Sequence, residues 1–121
     1  MKNLTALLKA LADESRLRII SLLEAGELCV CEIQPALELA QSTVSRHLQT
    51  LEEVGVIVGR RQGTWKYYRL HPHPRPRVQT LLGAVRQGVE EAGEAGRMQE
   101  RLDGLRIGAA CGSKPAACGT R

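Results

Sequence analysis

Two cysteines separated by one residue, Cys29 and Cys31, are the side chains in this sequence best suited to bind a soft ligand. They lie in the segment ELCVCEI, residues 27–33, which leads into an apolar stretch with helical spacing. The dipole at the start of a helix lowers the pKa of a thiol, and the resulting thiolate is the form that binds metals. The pair therefore predicts a site for a thiol-seeking ion. The alternative is that both cysteines are small apolar core residues.

The spacing of the pair also predicts how a bound ion would affect the chain. On a regular helix, side chains two residues apart point about 200° away from each other, so both sulfur atoms cannot reach one ion. Binding by both thiolates would then require the first turn of the helix to unwind or twist. Pro35 follows shortly, and because proline is tolerated in a first helical turn, this helix should begin close to Cys31.

A polar segment, residues 41–47, opens the next predicted helix, which extends to about Val54. Val44, Leu48 and Leu51 recur with helical spacing and should face inward. Short polar side chains at the start of such a helix can reach base edges in the DNA major groove, and hydroxyl and arginine side chains can hold phosphates. A solvated helix face is the alternative. The residues predicted to contact DNA are Gln41, Ser42, Thr43, Ser45, Arg46 and His47.

β-Branched and aromatic residues then replace the helical pattern. They occur in residues 56–58 and 65–70, on either side of a predicted turn at residues 61–64, which is typical of a β-hairpin. A hairpin directly after two short helices is typical of a wing. The cations near its tip should contact phosphates or the minor groove and contribute salt-dependent affinity. They are Arg60, Arg61 and Lys66.

The N-terminal segments predict the helices that position these residues. Leucines at positions 4, 7, 8 and 11 form one stripe of a first helix. Asp13 can cap a second helix, and Gly26 stands where that helix should stop. A short connection at residues 38–40 joins the helix after the cysteines to the polar helix, as in a helix-turn-helix. The predicted fold class is mainly α with a small β-hairpin, a winged helix-turn-helix.

The C-terminal part predicts a connector, a helix and a tail. Prolines alternate through residues 71–76 and favour an extended chain, in which His71 and His73 form a chance pair rather than a metal site. A last helix is expected from Val78 to about Leu102. The predicted DNA-binding and dimerisation domain is therefore residues 1–102, followed by a flexible tail, residues 103–121, that contains Cys111 and Cys118.

The composition limits the class of protein. The chain has 121 residues, which suffice for one domain, and its formal net charge of +4 suits a polyanionic partner because cations cluster in the hairpin. No apolar run approaches the ~20 residues of a membrane span, and residues 1–10 do not have the pattern of a secretory signal. A cytoplasmic location without a membrane partner is predicted. Thiols stay reduced there, so the four cysteines indicate ligands or sensors.

Five motifs resemble, in their order, the pattern of a known family. They are ADESRLR (12–18), ELCVCE (27–32), SRHL (45–48), GVI (55–57) and RQGTWKYYRL (61–70). Over roughly residues 4–82 the sequence resembles the arsenical-resistance repressors of the ArsR/SmtB family, in the branch with an ELCVC motif. The resemblance implies a homodimer paired through its first and last helices and repression by binding double-stranded operator DNA. It also implies release when As(III) or Sb(III) binds Cys29 and Cys31.

Gln34 departs from the Cys-x-Cys-x-x-Cys site that is familiar in this branch. As(III) prefers three thiolates, so either Cys111 or Cys118 supplies the third ligand or two thiolates suffice. Related cadmium and lead repressors add cysteines from an N-terminal extension, and none precedes Cys29 here. The alternative is that the same fold senses Cd(II), Pb(II) or thiol oxidation. An enzyme such as an arsenate reductase would need an oxyanion-cradling loop beside a cysteine, which this sequence lacks.

Overall fold

Residues 1–108 form six helices and three short strands in the computed structural model; Cys111 and Cys118 lie outside the described residues. The helices are α1 (Lys2–Leu11), α2 (Glu14–Leu23), α3 (Val30–Leu37), α4 (Gln41–Glu53), α5 (Pro76–Glu91) and α6 (Glu94–Gly108). The strands are β1 (Leu28–Cys29), β2 (Ile57–Gln62) and β3 (Trp65–Leu70). The predicted fold class, mainly α with a small hairpin, is confirmed. None of the described helices has the length and hydropathy of a membrane span.

The first two helices form as predicted. Leu7 and Leu11 of α1 are buried, whereas Leu8 from the same leucine stripe is 47% exposed. Asp13 caps α2, and its carboxylate accepts a hydrogen bond from the backbone N–H of Arg16 at 3.1 Å. Burial raises the pKa of Asp13, but the hydrogen bond and charge of Arg16 outweigh burial, so that pKa lies below its usual value.

Helices α3 and α4 form the predicted helix-turn-helix. The connection between them turns at Glu38, which adopts the left-handed conformation at φ 59° and ψ 40°. Helix α3 begins at Val30, close to the predicted start at Cys31, but Pro35 lies inside the helix rather than in its first turn, contrary to the prediction. The helix tolerates it because α3 is only 8 residues long. The one helical hydrogen bond lost is that from residue 35 to the carbonyl of Cys31, four residues earlier.

The hairpin belongs to a three-stranded antiparallel sheet with the order β1-β3-β2. The turn is shorter than the predicted residues 61–64, because Arg61 pairs with Lys66 and Gln62 pairs with Trp65 inside the ladder. Gly63, at φ 65°, supplies the left-handed conformation that a two-residue turn requires. Strand β1 was not predicted. It pairs with β3 in the register Leu28 to Tyr68 and Cys29 to Tyr67.

The expected last helix, Val78 to Leu102, is instead two helices. Gly93 has φ 76°, a conformation that interrupts the helix between α5 and α6. Helix α6 continues past Leu102 to Gly108 and packs against α2 and α3 of its own chain. Met98 and Leu102 bury their side chains there, and Arg101 Nη1 donates to the Ala36 carbonyl at 2.9 Å.

Candidate ligand and DNA-binding sites

Cys29 and Cys31 come together where β1 passes into α3. Cys29 ends β1 and is also the N-cap of α3, with an extended backbone at φ −89° and ψ 162°. The two Cα atoms are 5.3 Å apart, and the two sulfur atoms are joined in a disulfide. Cys29 is buried and Cys31 is half-buried. The pair is therefore one site, and Cys31 is the more accessible of its two side chains.

This geometry corrects the expectation that α3 must unwind before both sulfur atoms can meet. The divergence of about 200° applies only where both residues belong to a regular helix. Because Cys29 lies outside α3 in an extended conformation, the sulfur atoms meet while the helix stays intact. The disulfide also differs from the expectation of reduced thiols.

Two carboxylates flank the pair. A carboxylate oxygen of Glu32 accepts a hydrogen bond from the backbone N–H of Cys29 at 3.1 Å, as in a capping box. Glu27 binds Arg60 of β2 through two short contacts, Nε to Oε2 at 2.8 Å and Nη2 to Oε1 at 2.6 Å. The hydrogen bond and charge of Arg60 hold the pKa of Glu27 below its usual value. Glu32 thus fixes Cys29 in the helix cap, and Glu27 ties the preceding segment to the hairpin.

Four of the predicted DNA contacts on α4 have exposed side chains. The inner face of this helix is fully buried at Val44, Leu48 and Leu51. At 100° per residue, Ser42 and Arg46 lie opposite this face and Ser45 lies to its side, whereas Gln41 is the first residue of the helix. Gln41, Ser42, Ser45 and Arg46 are all exposed.

The other two α4 candidates, Thr43 and His47, are half-buried on the flank of the helix. His47 Nδ1 lies 3.1 Å from Nη1 of Arg16. Arg16 also donates from Nε to the Ala10 carbonyl at 2.6 Å and from Nη2 to the Lys9 carbonyl at 3.3 Å. His47 therefore helps to hold α4 against the end of α1, through Arg16.

The three hairpin cations lie in two different surroundings. Arg61 and Lys66 stand directly opposite each other on one face of the hairpin. Like charges in that position destabilise a strand pair, so an anion between them would be favourable. Arg60 lies on the other face, where its guanidinium sits 4.8 Å from the ring centroid of Tyr67 and binds Glu27. Arg61 and Lys66 are thus better placed than Arg60 for a phosphate.

Two residues of this surface were missed in the sequence. Gln49 is exposed and continues the outward face of α4. Its spacing of four residues from Ser45 was a signal that could have identified it. Arg16 offered no local signal, because its partner His47 is 31 residues away along the chain.

The remaining histidines do not form a metal site with other described residues. The backbone N–H of His73 donates to Nδ1 of His71 at 3.0 Å, so one ring nitrogen of the pair is already in use. Among residues 1–108, no group of three His, Cys, Asp or Glu side chains is placed to hold a metal ion. Any third ligand for Cys29 and Cys31 must come from elsewhere.

A helix-turn-helix followed by an antiparallel hairpin with a basic tip defines a winged helix-turn-helix protein. The family described as bacterial regulatory protein, arsR family, matches residues 13–58, which extend from the cap of α2 into β2. The chain is also 45% identical over 80 residues to the arsenic resistance transcriptional regulator ArsR2 of Pseudomonas putida, and the match covers 65% of this chain and 70% of that protein. The chain belongs to the arsR family.

Two further relatives carry related names. Arsenic resistance transcriptional regulator ArsR1 of Pseudomonas putida is 47% identical over 87 residues, which are 71% of this chain and 65% of that protein. The arsenical resistance operon repressor of Escherichia coli is 54% identical over 68 residues, which are 55% of this chain and 58% of that protein. The chain thus spans less than two thirds of the length of these two relatives.

Solved structures have the same fold. Reduced HlyU from Vibrio cholerae has a TM-score of 0.60 at 32% identity, covering 71% of this chain and 90% of that one. The homodimeric winged helix-turn-helix DNA-binding domain Mb0332 from Mycobacterium bovis has a TM-score of 0.62 at 34% identity, covering 77% of this chain and 83% of that one.

Proposed function

We propose that this protein is a homodimeric repressor that binds operator DNA in the cytoplasm and is released when As(III) or Sb(III) binds Cys29 and Cys31. The observation that carries the proposal is the position of Cys29. It ends a strand of the sheet that contains the wing and also caps the first helix of the helix-turn-helix. A ligand held by both sulfur atoms acts on both DNA-binding elements at once.

The ligand class follows from the donors and the relatives. Thiolates favour soft ions, and several relatives are named for arsenic or arsenical resistance. As(III) prefers three thiolates, and the described residues offer two. We propose a two-thiolate site completed by a small thiol, hydroxide or a methyl carbon, with a third thiolate from Cys111 or Cys118 as the competing arrangement.

Release follows from the change that the ligand makes at the helix cap. An S–As–S unit fixes a distance and an angle that two separate thiols do not require, so Cys29 and Cys31 must move to accommodate the ion. The first turn of α3 can yield, because Pro35 has no N–H to donate to the carbonyl of Cys31. Movement of α3 changes the angle at which α4 enters the major groove, and operator affinity falls.

The DNA contacts are assigned by exposure. Gln41, Ser42, Ser45 and Arg46 read or hold the major groove, and the pair of exposed Arg61 and half-buried Lys66 contacts phosphates. Thr43, His47 and Arg60 were also predicted as contacts. Two of these side chains have partners within the protein, His47 on Arg16 and Arg60 on Glu27.

The dimer is proposed to form through α1 and α5. Leu8 of α1 exposes 47% of its surface and is available to pack against a second copy. Helix α6, the last helix of the described part, packs on α2 and α3 of its own chain, so α5 takes the pairing role expected of the last helix. The homodimeric neighbour from Mycobacterium bovis supports a dimer.

The function is tested by operator binding of the reduced protein, measured as fluorescence anisotropy of labelled DNA from upstream of its gene. Addition of As(III) or Sb(III) should release the DNA. Cys29→Ser and Cys31→Ser should bind DNA as the wild type does and should no longer be released. Release of either variant at the wild-type As(III) concentration would exclude the paired-thiol site.

The matched control is the double variant Cys111→Ser, Cys118→Ser, which removes the only other thiols in the chain. If it binds As(III) with unchanged affinity and is still released, the third ligand is not a cysteine of this chain. X-ray absorption distinguishes the two arrangements directly, because it counts three or two As–S bonds.

A second candidate function is a switch driven by thiol oxidation, which the disulfide between Cys29 and Cys31 favours. Both functions use the same side chains and differ in the trigger. Hydrogen peroxide would then release the DNA without added metal, and dithiothreitol would restore binding. Cd(II), Pb(II) and Zn(II) titrations in the same assay identify a metal sensor of the same fold.

A further inference from the structure

One face of the three-stranded sheet connects the thiol pair to the wing. Cys29 of β1 is directly opposite Tyr67 of β3, and Tyr67 is directly opposite Arg60 of β2. Residues directly opposite each other in an antiparallel sheet project from the same face. Cys29, Tyr67 and Arg60 therefore form one row across all three strands.

Glu27 closes this row. It lies two residues before Cys29, and its carboxylate holds the Arg60 guanidinium in a two-point contact at 2.6 and 2.8 Å. The same guanidinium stacks 4.8 Å from the Tyr67 ring centroid and donates to Gln62 at 2.8 Å. A planar guanidinium held at two oxygens and one ring has a defined orientation, unlike a point charge. A shift of the chain at Cys29 would thus move Arg60 at a defined position on the wing.

We infer that Glu27 is a positioning residue that couples the thiol pair to the wing through Arg60. This inference rests on the proposed function, because it assigns the route by which a ligand at Cys29 and Cys31 alters the hairpin. When the ligand sets a new separation between the sulfur atoms of Cys29 and Cys31, the segment of Glu27 moves with Cys29. The two-point contact then shifts Arg60 together with strand β2, which carries it.

A matched ion pair elsewhere in the chain separates coupling from simple stabilisation. Glu24 binds Arg86 at 2.7 Å, and side-chain exposures of 31% and 53% resemble the 28% and 49% of Glu27 and Arg60. That pair joins the end of α2 to α5 rather than to the hairpin. Partly exposed ion pairs of this kind contribute little to stability, so neither variant should unfold the protein.

Trp65 provides a readout that needs no DNA. It is the only tryptophan of the chain and begins β3, two residues from Tyr67. We expect its emission in the full-length reduced protein to change when arsenite or phenylarsine oxide is added. The change should fall at least about threefold in Glu27→Gln and remain at the wild-type size in Glu24→Gln. Arg60→Gln should behave as Glu27→Gln does, and the exchange Glu27→Lys, Arg60→Glu should restore part of the change.

The second measurement is the factor by which arsenite lowers DNA affinity. Glu27→Gln should bind arsenite with wild-type affinity, measured by the As–S absorption band, and should reduce that factor at least about threefold. Glu24→Gln should leave it unchanged. A wild-type factor in Glu27→Gln, with an unaltered Trp65 response, overturns the inference and leaves the proposed function intact.

Failure of the proposed function gives a different pattern. If arsenite and phenylarsine oxide do not bind the reduced wild type, the Trp65 response is measured between the reduced pair and the disulfide formed with peroxide. A response that Glu27→Gln lowers and Glu24→Gln does not lower supports the coupling with oxidation as the trigger. No response of Trp65 to any of these changes overturns it.

Discussion

Helix α4 and the hairpin are the two parts of the proposed DNA surface, and they are held in opposite ways. Val44, Leu48 and Leu51 fix α4 to the core with no exposed surface. In the described residues, Arg46 on its outer face has no hydrogen bond or ion pair from its side chain. The hairpin buries Ile57 at its base, and two of its three cations, Arg60 and Lys66, are instead held by a carboxylate or an aromatic ring. Helix α4 is thus firmly packed, and Arg46 on its surface has no partner among the described residues. The hairpin is lightly packed, and most of its cations are committed, which means that they already have partners within the protein.

The two parts also connect to different neighbours. Helix α4 is joined to the end of α1 through His47 and Arg16. The hairpin is joined to the thiol pair through β1 and Glu27. A ligand at the thiol pair therefore reaches the hairpin through direct contacts and reaches α4 only through the packing of α3. We therefore expect one set of substitutions to change the affinity for DNA and a different set to change the release of DNA by the ligand.

The largest effect should come from removing buried volume under α4. Leu48→Ala should lower the free energy of unfolding by about 2–5 kcal/mol, because its side chain has no exposed surface. Val58→Ala in the hairpin should cost less, about 1 kcal/mol, because the position is half-buried. Urea denaturation followed by circular dichroism measures both. Equal losses would mean that the hairpin is as firmly packed as the helix.

Operator affinity should depend most on the outer face of α4. Arg46→Ala should weaken operator binding by about 1–3 kcal/mol and relax the preference for operator over random duplex. Gln99→Ala, an exposed substitution on α6, is the control and should change neither quantity. Anisotropy titrations at one salt concentration give both. An unchanged preference in Arg46→Ala would move base recognition to another element.

The helices and the hairpin could be predicted from sequence because their signals are local. The leucine stripe, the Asp13 cap and the change from helical to alternating period are each read within a few residues. Strand β1 could not be predicted, because two residues have no period and their partner Tyr68 lies forty positions away. The break in the last helix was equally hidden. Gly83 and Gly88 stay helical and only Gly93 adopts a positive φ, which packing of α6 decides.

The candidate site divides in the same way. Cys29, Cys31 and the exposed residues of α4 follow from residue type and helical spacing. The partners Arg16 of His47 and Glu27 of Arg60 come from distant segments, 31 and 33 residues away along the chain. Spacing alone therefore assigned His47 and Arg60 to DNA together with their exposed neighbours.

A smaller effect is expected at the cap that orients α2 beneath α4. Asp13→Ala should lower the free energy of unfolding by about 1 kcal/mol at pH 7. Because folding lowers the pKa of Asp13, its contribution is complete above the unfolded pKa and is lost as the pH falls through the folded pKa. The difference between wild type and Asp13→Asn should therefore narrow below about pH 4, since asparagine caps without titrating. A difference that stays constant down to pH 2 would contradict the assignment.

The smallest effect separates the two arginines of the hairpin by the salt dependence of DNA binding. Each phosphate contact that a cation makes releases counterions, so losing one contact makes the plot of log affinity against log salt concentration shallower by about one unit. Arg61 stands opposite Lys66 with no acid between them, and Arg61→Gln should produce that change.

Loss of Arg60 should not make the salt dependence shallower, because Glu27 already neutralises the charge of Arg60. A single Arg60 substitution would leave the Glu27 carboxylate near the DNA, so the proper comparison is the neutral double variant Glu27→Gln, Arg60→Gln. Its slope should match that of the wild type, while Arg61→Gln differs. If the double variant also loses about one unit, then Arg60 leaves Glu27 for a phosphate when the protein binds DNA. The committed side chains of the hairpin would then be contacts as well, and the contrast with α4 would hold only for the protein free of DNA.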